Sequence, residues 1–546
     1  MNQILLTLKQ FFGYETFRPG QEKIISSILL KKDVLAIMPT SAGKSICYQI
    51  PAIIFPGITI VISPLIALMK DQVDNLNKKG IPSTYLNSSL STAEFNSILT
   101  QIKSNIFKII YIAPERLYSK QFLSILNSLN ISLFAIDEAH CVSQWGHDFR
   151  PSYQIISPII SKFKIRPTIA AFTATATSIV KNDIIELLNL KNPFILTSSF
   201  NRSNLKFIVE KIENTQNKLN YILNYLNSHN LENGIIYCST RKNVEFLYSY
   251  LSNYGYKLSK YHGGMNELDR TFNQNNFIKG FTKIMIATNA FGMGIDKPDI
   301  RYILHYNLPK DLESYYQEAG RAGRDQNSSE CILLFSSKDI NINKYLISKT
   351  SNQTIRKVQY NKLNSMIGYS ATTNCLRNFI LNYFGEASSF QSCNNCSNCL
   401  TSYSFTDITI ESNHIFSCII ETKEHFDLNI ICDILLGASS PKLKKLNCYK
   451  LATYGILKDY SKKTILSIIY FLISKKYIII DFHHYNSLKL TDSGLNILDS
   501  NKSVIINKSI EKNLVSEPYS FFKDLCPDAT ILDILIYIIK KFFEML

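Results

Sequence analysis

The stretch "LAIMPTSAGKSICYQIPA" (residues 35–52) decides how the first part of the chain folds. A short apolar run ending at Met38 passes through small residues into a helical pattern that opens at Lys44. The loop closes with Gly43, Lys44 and Ser45, the end of the phosphate-binding pattern G-x-x-x-x-G-K-[ST], with Met38 where that pattern has its outer glycine. In a strand-loop-helix of this kind the backbone N–H groups and the helix N-terminus face phosphates. Lys44 adds a point charge, and the Ser45 hydroxyl is placed for Mg²⁺. Thr40, Ser41 and Ala42 complete the loop; Ser41 and Ala42 are small enough for close approach, with a penalty only if Ser41 takes positive φ.

Working outward, "DVLAIM", "ITIVIS", "KIIYIAP", "SLFAID", "TIAAFTATA", "GIIYCS", "KIMIAT", "RYILHY" and "CILLF" read as buried strands of parallel sheet, alternating with helical patterns. This is α/β architecture in two doubly wound lobes, five of the runs belonging to the first. After about residue 340 the alternation stops. A cysteine-rich segment follows, then a helical region, then "KKYIIIDFHHYNSLKLTDSGLNIL", whose strand, turn, strand and helix suit a winged helix.

The phosphate loop needs a partner, and "LFAIDEAH" supplies one: Asp137 and Glu138 end an apolar run, where an open α/β sheet holds its ligands. Asp137 suits Mg²⁺, and Glu138 suits orienting or deprotonating an attacking water. In the second lobe "YYQEAGRAGRDQ" carries Gln317, Arg321 and Arg324 among small residues. Guanidinium groups brought across from another lobe stabilise charge developing on a γ-phosphate, coupling hydrolysis to lobe closure.

The 59 Lys and Arg against 43 Asp and Glu, a net +16, point towards a polyanionic partner. No secretory signal pattern is visible at the N-terminus, and the apolar C-terminal runs are interrupted by Lys475, Lys476, Asp533, Lys540 and Lys541. The expectation is an intracellular protein with no membrane association, its twelve cysteines reduced.

In order and extent, "FGYETFRPGQ", "MPTSAGKSICYQ", "SPLIALMKDQ", "YIAPERL", "DEAHCVSQWGHDFRP", "FTATA", "YHGGM", "ATNAFGMGIDKPDIR" and "QEAGRAGRD" resemble the RecQ family of superfamily 2 DNA helicases over roughly residues 5–500. The resemblance implies two RecA-like lobes, a zinc-binding helical subdomain and a winged helix. It also implies ATP-driven translocation on single-stranded DNA with 3′ to 5′ unwinding of duplex or branched DNA, in repair and recombination. By position, Tyr14, Arg18 and Gln21 resemble the adenine-recognition residues. An aromatic and a guanidinium can sandwich a base while an amide pairs with its edge. Gly292, Gly294 and Asp296 fall in a second-lobe motif that often has Asn at the last position.

The segment after the acidic pair resembles the family's aromatic-rich loop, with Trp145, the only tryptophan, followed by Phe149 and Arg150. Its rings can stack on unpaired bases, Arg150 can meet phosphate, and the loop can report DNA occupancy to Glu138. In the winged helix Lys442, Lys444, Lys445 and Lys450 suit phosphate contacts, and Phe482, His483, His484 and Tyr485 fall near the hairpin tip, to wedge a duplex end or merely line a solvated turn.

Cys375, Cys393, Cys396 and Cys399, spaced C-x17-C-x2-C-x2-C, can form a tetrahedral thiolate cage. Two disulfides or an iron–sulfur cluster would use the same residues; the resemblance favours structural Zn²⁺. The domain plan is 1–203 and 204–340 for the lobes, 341–402 for the zinc subdomain, 403–502 for the winged helix, and 503–546 for a short helical tail that resembles a remnant of a helicase-and-RNase-D C-terminal domain. Single-stranded and duplex DNA are the expected partners, with a single-strand-binding protein or a topoisomerase by family resemblance. The compartment would be the cytoplasm of a bacterium or the nucleus of a eukaryote. Two other readings use the same residues: a superfamily 2 RNA helicase, or a non-hydrolysing DNA-binding scaffold. The cysteine cage, wing and aromatic loop argue against the first, and the intact Lys44, Ser45, Asp137, Glu138, Arg321 and Arg324 against the second.

Overall fold

A computed structural model describes residues 3–39, 42–88, 90–146, 148–291, 297–401, 405–482, 486–500 and 502–507. Thr40, Ser41, Gly292, Gly294, Asp296, His483, His484, Tyr485 and residues 508–546 lie outside the described residues.

The first lobe holds seven parallel strands, β1 (Val34–Ile37), β2 (Ile58–Ile62), β3 (Ser83–Leu86), β4 (Ile109–Ile112), β5 (Ile131–Ile136), β6 (Thr168–Thr173) and β7 (Phe194–Thr197), in the order β3-β4-β2-β5-β6-β1-β7. Leu35 and Ile37 pack into one core, and Val34, Ala36 and Met38 into another on the opposite face. Because successive residues point to opposite faces and helices cover both, such strands read as unbroken apolar runs. The order sets β2, β5, β6 and β1 side by side, so the segments leaving their carboxyl ends adjoin along one edge.

The second lobe is a six-stranded parallel sheet of β8 (Leu205–Lys211), β9 (Asn233–Tyr237), β10 (Leu258–Tyr261), β11 (Ile284–Ala287), β12 (Ile300–His305) and β13 (Ser329–Phe335), ordered β10-β11-β9-β12-β13-β8. Both lobes are RecA-like. The first carries two more strands than the five runs expected, β3 and β7, and the second adds β8 and β10. All four are sheet edges, where side chains are more polar.

Helices Ser337–Ser348, Gln353–Ala371 and Leu376–Tyr383 lead to the cysteine-rich knuckle, which lies on the edge strand of the second lobe: Cys396 bridges Phe207 of β8, and Ser397 Oγ accepts from Val209 N at 3.3 Å. Beyond it, helices Thr409–Glu421, Leu428–Leu435 and Lys462–Ser474 precede the antiparallel hairpin β15 (Ile478–Asp481) and β16 (Ser487–Leu490) and the helix Asp492–Ser500, a winged-helix arrangement. Strands β14 (Phe405–Asp407) and β17 (Ile505–Asn507) pair antiparallel, so this unit closes with residues that the sequence plan assigned to the tail. No helix among the described residues is long and apolar enough to cross a membrane.

Candidate functional site

Met38 explains why the outer glycine of the phosphate loop is dispensable. Its N–H still donates to Thr173 O of β6 at 2.9 Å and its side chain is fully buried, so residue 38 extends the strand and fills core. The left-handed turn falls instead at Gly43, φ +75°, directly before the helix Lys44–Ile54. That helix is seated by Tyr48, whose ring packs edge-on to Phe172 of β6 at 5.5 Å. Gln21, only 2% exposed, ties the preceding segment to the loop: its amide donates to Ala42 O at 3.2 Å and Gly43 O at 3.0 Å, and its carbonyl accepts from Arg18 N at 2.8 Å. The amide expected to read a base edge is thus engaged with the phosphate loop.

A cleft of about 540 Å³ brings the expected groups together, within the usual range for small-molecule sites. Tyr14, Arg18, Gln21, Gly43, Lys44, Ser45, Asp137 and Glu138 line it from the first lobe, and Gln317, Arg321 and Arg324 from the second. Lys44 Nζ is buried there with no hydrogen-bond partner among the described residues. An orphaned ammonium beside a positive-φ glycine and a helix N-terminus fits a polyphosphate. Ser45 and Asp137 supply oxygen donors of the kind Mg²⁺ takes.

Asp137 and Glu138 have opposite ionisation tendencies. Burial, reinforced by the neighbouring Glu138 charge and opposed by Lys44, pushes the Asp137 carboxyl up to about 6. Burial also works against ionised Glu138, but Lys44, Arg321 and Arg150, joined by His140 when that ring is protonated, outweigh it and hold that carboxyl below its usual range. Glu138 has φ +46°, a left-handed conformation that side chains rarely adopt and that costs roughly 1–2 kcal/mol. Its surroundings hold it there: Tyr153 Oη donates to Asp137 O at 2.9 Å and Asp137 N donates to Ile62 O at 2.8 Å.

His140 joins this pair to β6. Burial lowers its pKa despite the nearby Glu138 charge, which favours the neutral ring. Its Nδ1 lies 2.9 Å from Thr173 Oγ1 and 3.3 Å from Glu138 Oε2. The "FTATA" segment therefore touches the acidic pair through a histidine that the sequence reading passed over.

The aromatic loop leaves the same edge. Trp145 is 39% exposed and Phe149 half-buried, so the lone tryptophan is not a buried anchor. Arg150 donates to Asp148 Oδ2 through Nε and Nη2, both at 3.1 Å, and to Pro64 O of "SPLIALMKDQ" at 3.1 Å. The structure thus ties the expected DNA-contacting arginine to two first-lobe motifs. A second cleft of about 320 Å³ separates Gln144, Asp148 and Phe149 from Lys310, Asp311 and Lys362. In the winged helix Lys442, Lys444, Lys445 and Lys450 are all exposed, remote in sequence from the cleft. Phe482, expected near the hairpin tip, is instead buried and stacked on Tyr360 at 4.6 Å, fastening the hairpin to the helix Gln353–Ala371.

The four Sγ atoms of Cys375, Cys393, Cys396 and Cys399 lie within 4.8 Å of one another, and none is in a disulfide. Four thiolates bound at about 2.3 Å round a tetrahedral Zn²⁺ would stand close to this spacing, so the donor set fits the ion.

Family models match the chain in four successive blocks: DEAD/DEAH box helicase over residues 18–182, helicase conserved C-terminal domain over 217–326, RecQ zinc-binding over 337–400 and RQC domain over 403–514. The chain is 42% identical over 519 residues to the ATP-dependent DNA helicase RecQ of Bacillus subtilis, covering 95% of this chain and 87% of that one. It is 39% identical over 494 residues to the protein of the same description from Pasteurella multocida, covering 90% and 77%. Among solved structures the DUF1998 helicase MrfA bound to DNA has a TM-score of 0.52 at 19% identity, over 70% of this chain and 54% of that one, a likeness of fold alone.

Proposed function

This chain belongs to the RecQ family of ATP-dependent DNA helicases, and we propose that it couples ATP hydrolysis to 3′ to 5′ movement on single-stranded DNA, unwinding duplex or branched DNA in repair and recombination. The observation that supports this most is the single cleft lined by the phosphate loop and acidic pair of one lobe and the arginines of the other. Hydrolysis there depends on lobe closure, which is what converts chemistry into movement.

Family membership brings ATP, Mg²⁺ and Zn²⁺ with it. In this reading Lys44 and the loop N–H groups hold the phosphates, while Tyr14 and Arg18 flank the base and Gln21 ties that segment to the loop. Ser45 and Asp137 hold Mg²⁺, which when bound screens the phosphate charge. Glu138, kept ionised by the surrounding cations, accepts a proton from the attacking water. Arg321 and Arg324 offset charge on the γ-phosphate oxygens, and Gln317 orients it. Trp145 and Phe149 stack on bases, and the path from Arg150 through Pro64 and from His140 through Thr173 relates strand occupancy to Glu138. The exposed lysines of the winged helix take duplex phosphates. Protein partners such as a single-strand-binding protein or a topoisomerase belong to the same proposal.

The test measures ATP turnover with and without single-stranded DNA or RNA, alongside unwinding of duplexes tailed at either end. DNA-stimulated turnover and unwinding only with a 3′ tail are expected. Preferential stimulation by RNA, or unwinding confined to 5′ tails, would overturn the reading.

A further inference from the structure

The turn bearing Arg321 and Arg324 is held from outside. Arg202 lies in the segment joining the two lobes, three residues before β8, and is 6% exposed. Its guanidinium points at carbonyls of that turn: Nη1 donates to Gly320 O at 3.3 Å, and Nη2 to Ala322 O at 3.1 Å and Gly323 O at 2.9 Å. Asn204 Nδ2 adds a bond to Gly323 O at 2.9 Å and one to Asn327 O at 3.0 Å. Gly323 itself has φ +55°, and a Cβ there would come within 2.7 Å of Asn327 O and Ser329 Oγ, so the turn has little room to shift.

The far side of the joining segment is clamped as well. Arg377, two residues after Cys375, donates from Nη1 to Asn201 Oδ1 at 3.1 Å and to Arg202 O, and from Nη2 to Leu205 O. Asn395 in the cysteine knuckle donates to Ser203 O at 3.0 Å. Cysteine knuckle, joining segment and arginine turn therefore form one hydrogen-bonded unit.

Arg202 makes no ion pair with a carboxylate among the described residues, and burial lowers its pKa. Burying a guanidinium on carbonyls alone is costly. A packing role would be met by an apolar side chain, whereas a planar fork of five donors suits several diverging carbonyls. We propose that Arg202 is a positioning residue for hydrolysis: it fixes the 320–323 turn so that Arg321 and Arg324 meet the nucleotide, and Arg377 braces it from the zinc subdomain. Movement of the joining segment as the lobes close then carries the arginines with it. This rests on the reading of Arg321 and Arg324 given above.

The test uses the full zinc-loaded chain. Arg202→Lys keeps the charge but cannot span the three carbonyls. Because a displacement near 1 Å can cost about 100-fold, kcat for DNA-stimulated hydrolysis should fall roughly 30- to 100-fold. KM for ATP and nucleotide-independent binding of single-stranded DNA should stay within about threefold, as expected of an interaction made only in the transition state. In a background lacking both arginines, Arg321→Ala with Arg324→Ala, the same change should lower kcat less than about twofold further. Asn204→Ala, at a partly exposed site, should repeat the pattern with a smaller loss and decides the matter if Arg202→Lys does not fold. Unchanged kcat in both variants, or losses that multiply with that of the variant lacking both arginines, would overturn the proposal. Full hydrolysis by Arg321→Ala alone would instead overturn the reading of the arginines on which it stands.

Discussion

Replacing Gln21 by alanine tests how the base-binding segment and the phosphate loop are joined. The substitution removes three hydrogen bonds, two to the carbonyls of Ala42 and Gly43 and one from Arg18 N. Neutral bonds of this kind contribute about 0.5–1.5 kcal/mol each, so the upper limit is about 4.5 kcal/mol. The cleft is open enough for water to reach the exposed carbonyls, which brings the net loss to about 1.5–3 kcal/mol. Nucleotide binds the ordered loop, so taking this free energy from the ordered state lowers its population and weakens nucleotide binding by up to roughly 10- to 100-fold at 1.4 kcal/mol per factor of ten. Since the bonds reach the loop and not a base, ATP, GTP and inorganic triphosphate should all weaken by a similar factor in titration calorimetry. Gly43→Ala attacks the same contact from the other side, because a Cβ there would lie 2.6 Å from Gln21 Nε2 at a φ of +75°. In a Gln21→Ala background the clash disappears, so Gly43→Ala should there cost only the roughly 1–2 kcal/mol of its positive φ. Loss of ATP affinity alone, with GTP and triphosphate untouched, would mean that Gln21 reads the adenine and that its bonds to the loop are incidental.

Glu138→Gln should lower kcat by about 10²- to 10⁴-fold while ATP affinity, read by calorimetry, stays within a few-fold; equal losses in both would remove Glu138 from the chemical step. Trp145→Ala should leave DNA-independent turnover intact and raise the DNA concentration for half-stimulation by an amount worth about 1–3 kcal/mol; unchanged stimulation would remove the stacking role. Asp137 must be ionised to hold a cation, and its carboxyl stands at about 6. Mg²⁺ binding to the nucleotide complex should therefore be flat from pH 8 to 7 and weaken about tenfold per unit below 6, and no change down to pH 5 would contradict this. Cys396→Ser should drop bound zinc well below one ion per chain by elemental analysis and lower the melting temperature, since the ligand is buried; retained zinc would place the site elsewhere.

What the sequence disclosed follows a physical division. The nine apolar runs read as strands are the nine interior strands of the two sheets, each covered on both faces and so written in unbroken hydrophobic residues. β3, β7, β8 and β10 escaped because they are edges, with Ser, Thr, Lys and Glu where a solvated side permits them. The same division holds at the site. Residues that line the cleft stand at fixed spacings within short motifs, and Lys44, Asp137, Glu138, Gln317, Arg321 and Arg324 are all legible in that way. Groups that hold those residues in place leave no such spacing, since Arg202 acts on a turn 118 residues away through Gly320 and Arg377 on the joining segment 175 residues away. Their one local trace is a charged residue within three positions of buried apolar ones, Phe200 and Leu205 near Arg202 and Leu376 beside Arg377. A buried charge needs partners, and when none is nearby in sequence the partner must come from elsewhere in the fold. The loop at Met38 obeys a rule of backbone conformation. A motif glycine is required only where the backbone must take positive φ or approach the ligand closely, and here Gly43 takes the left-handed turn while residue 38 is still bonded to β6.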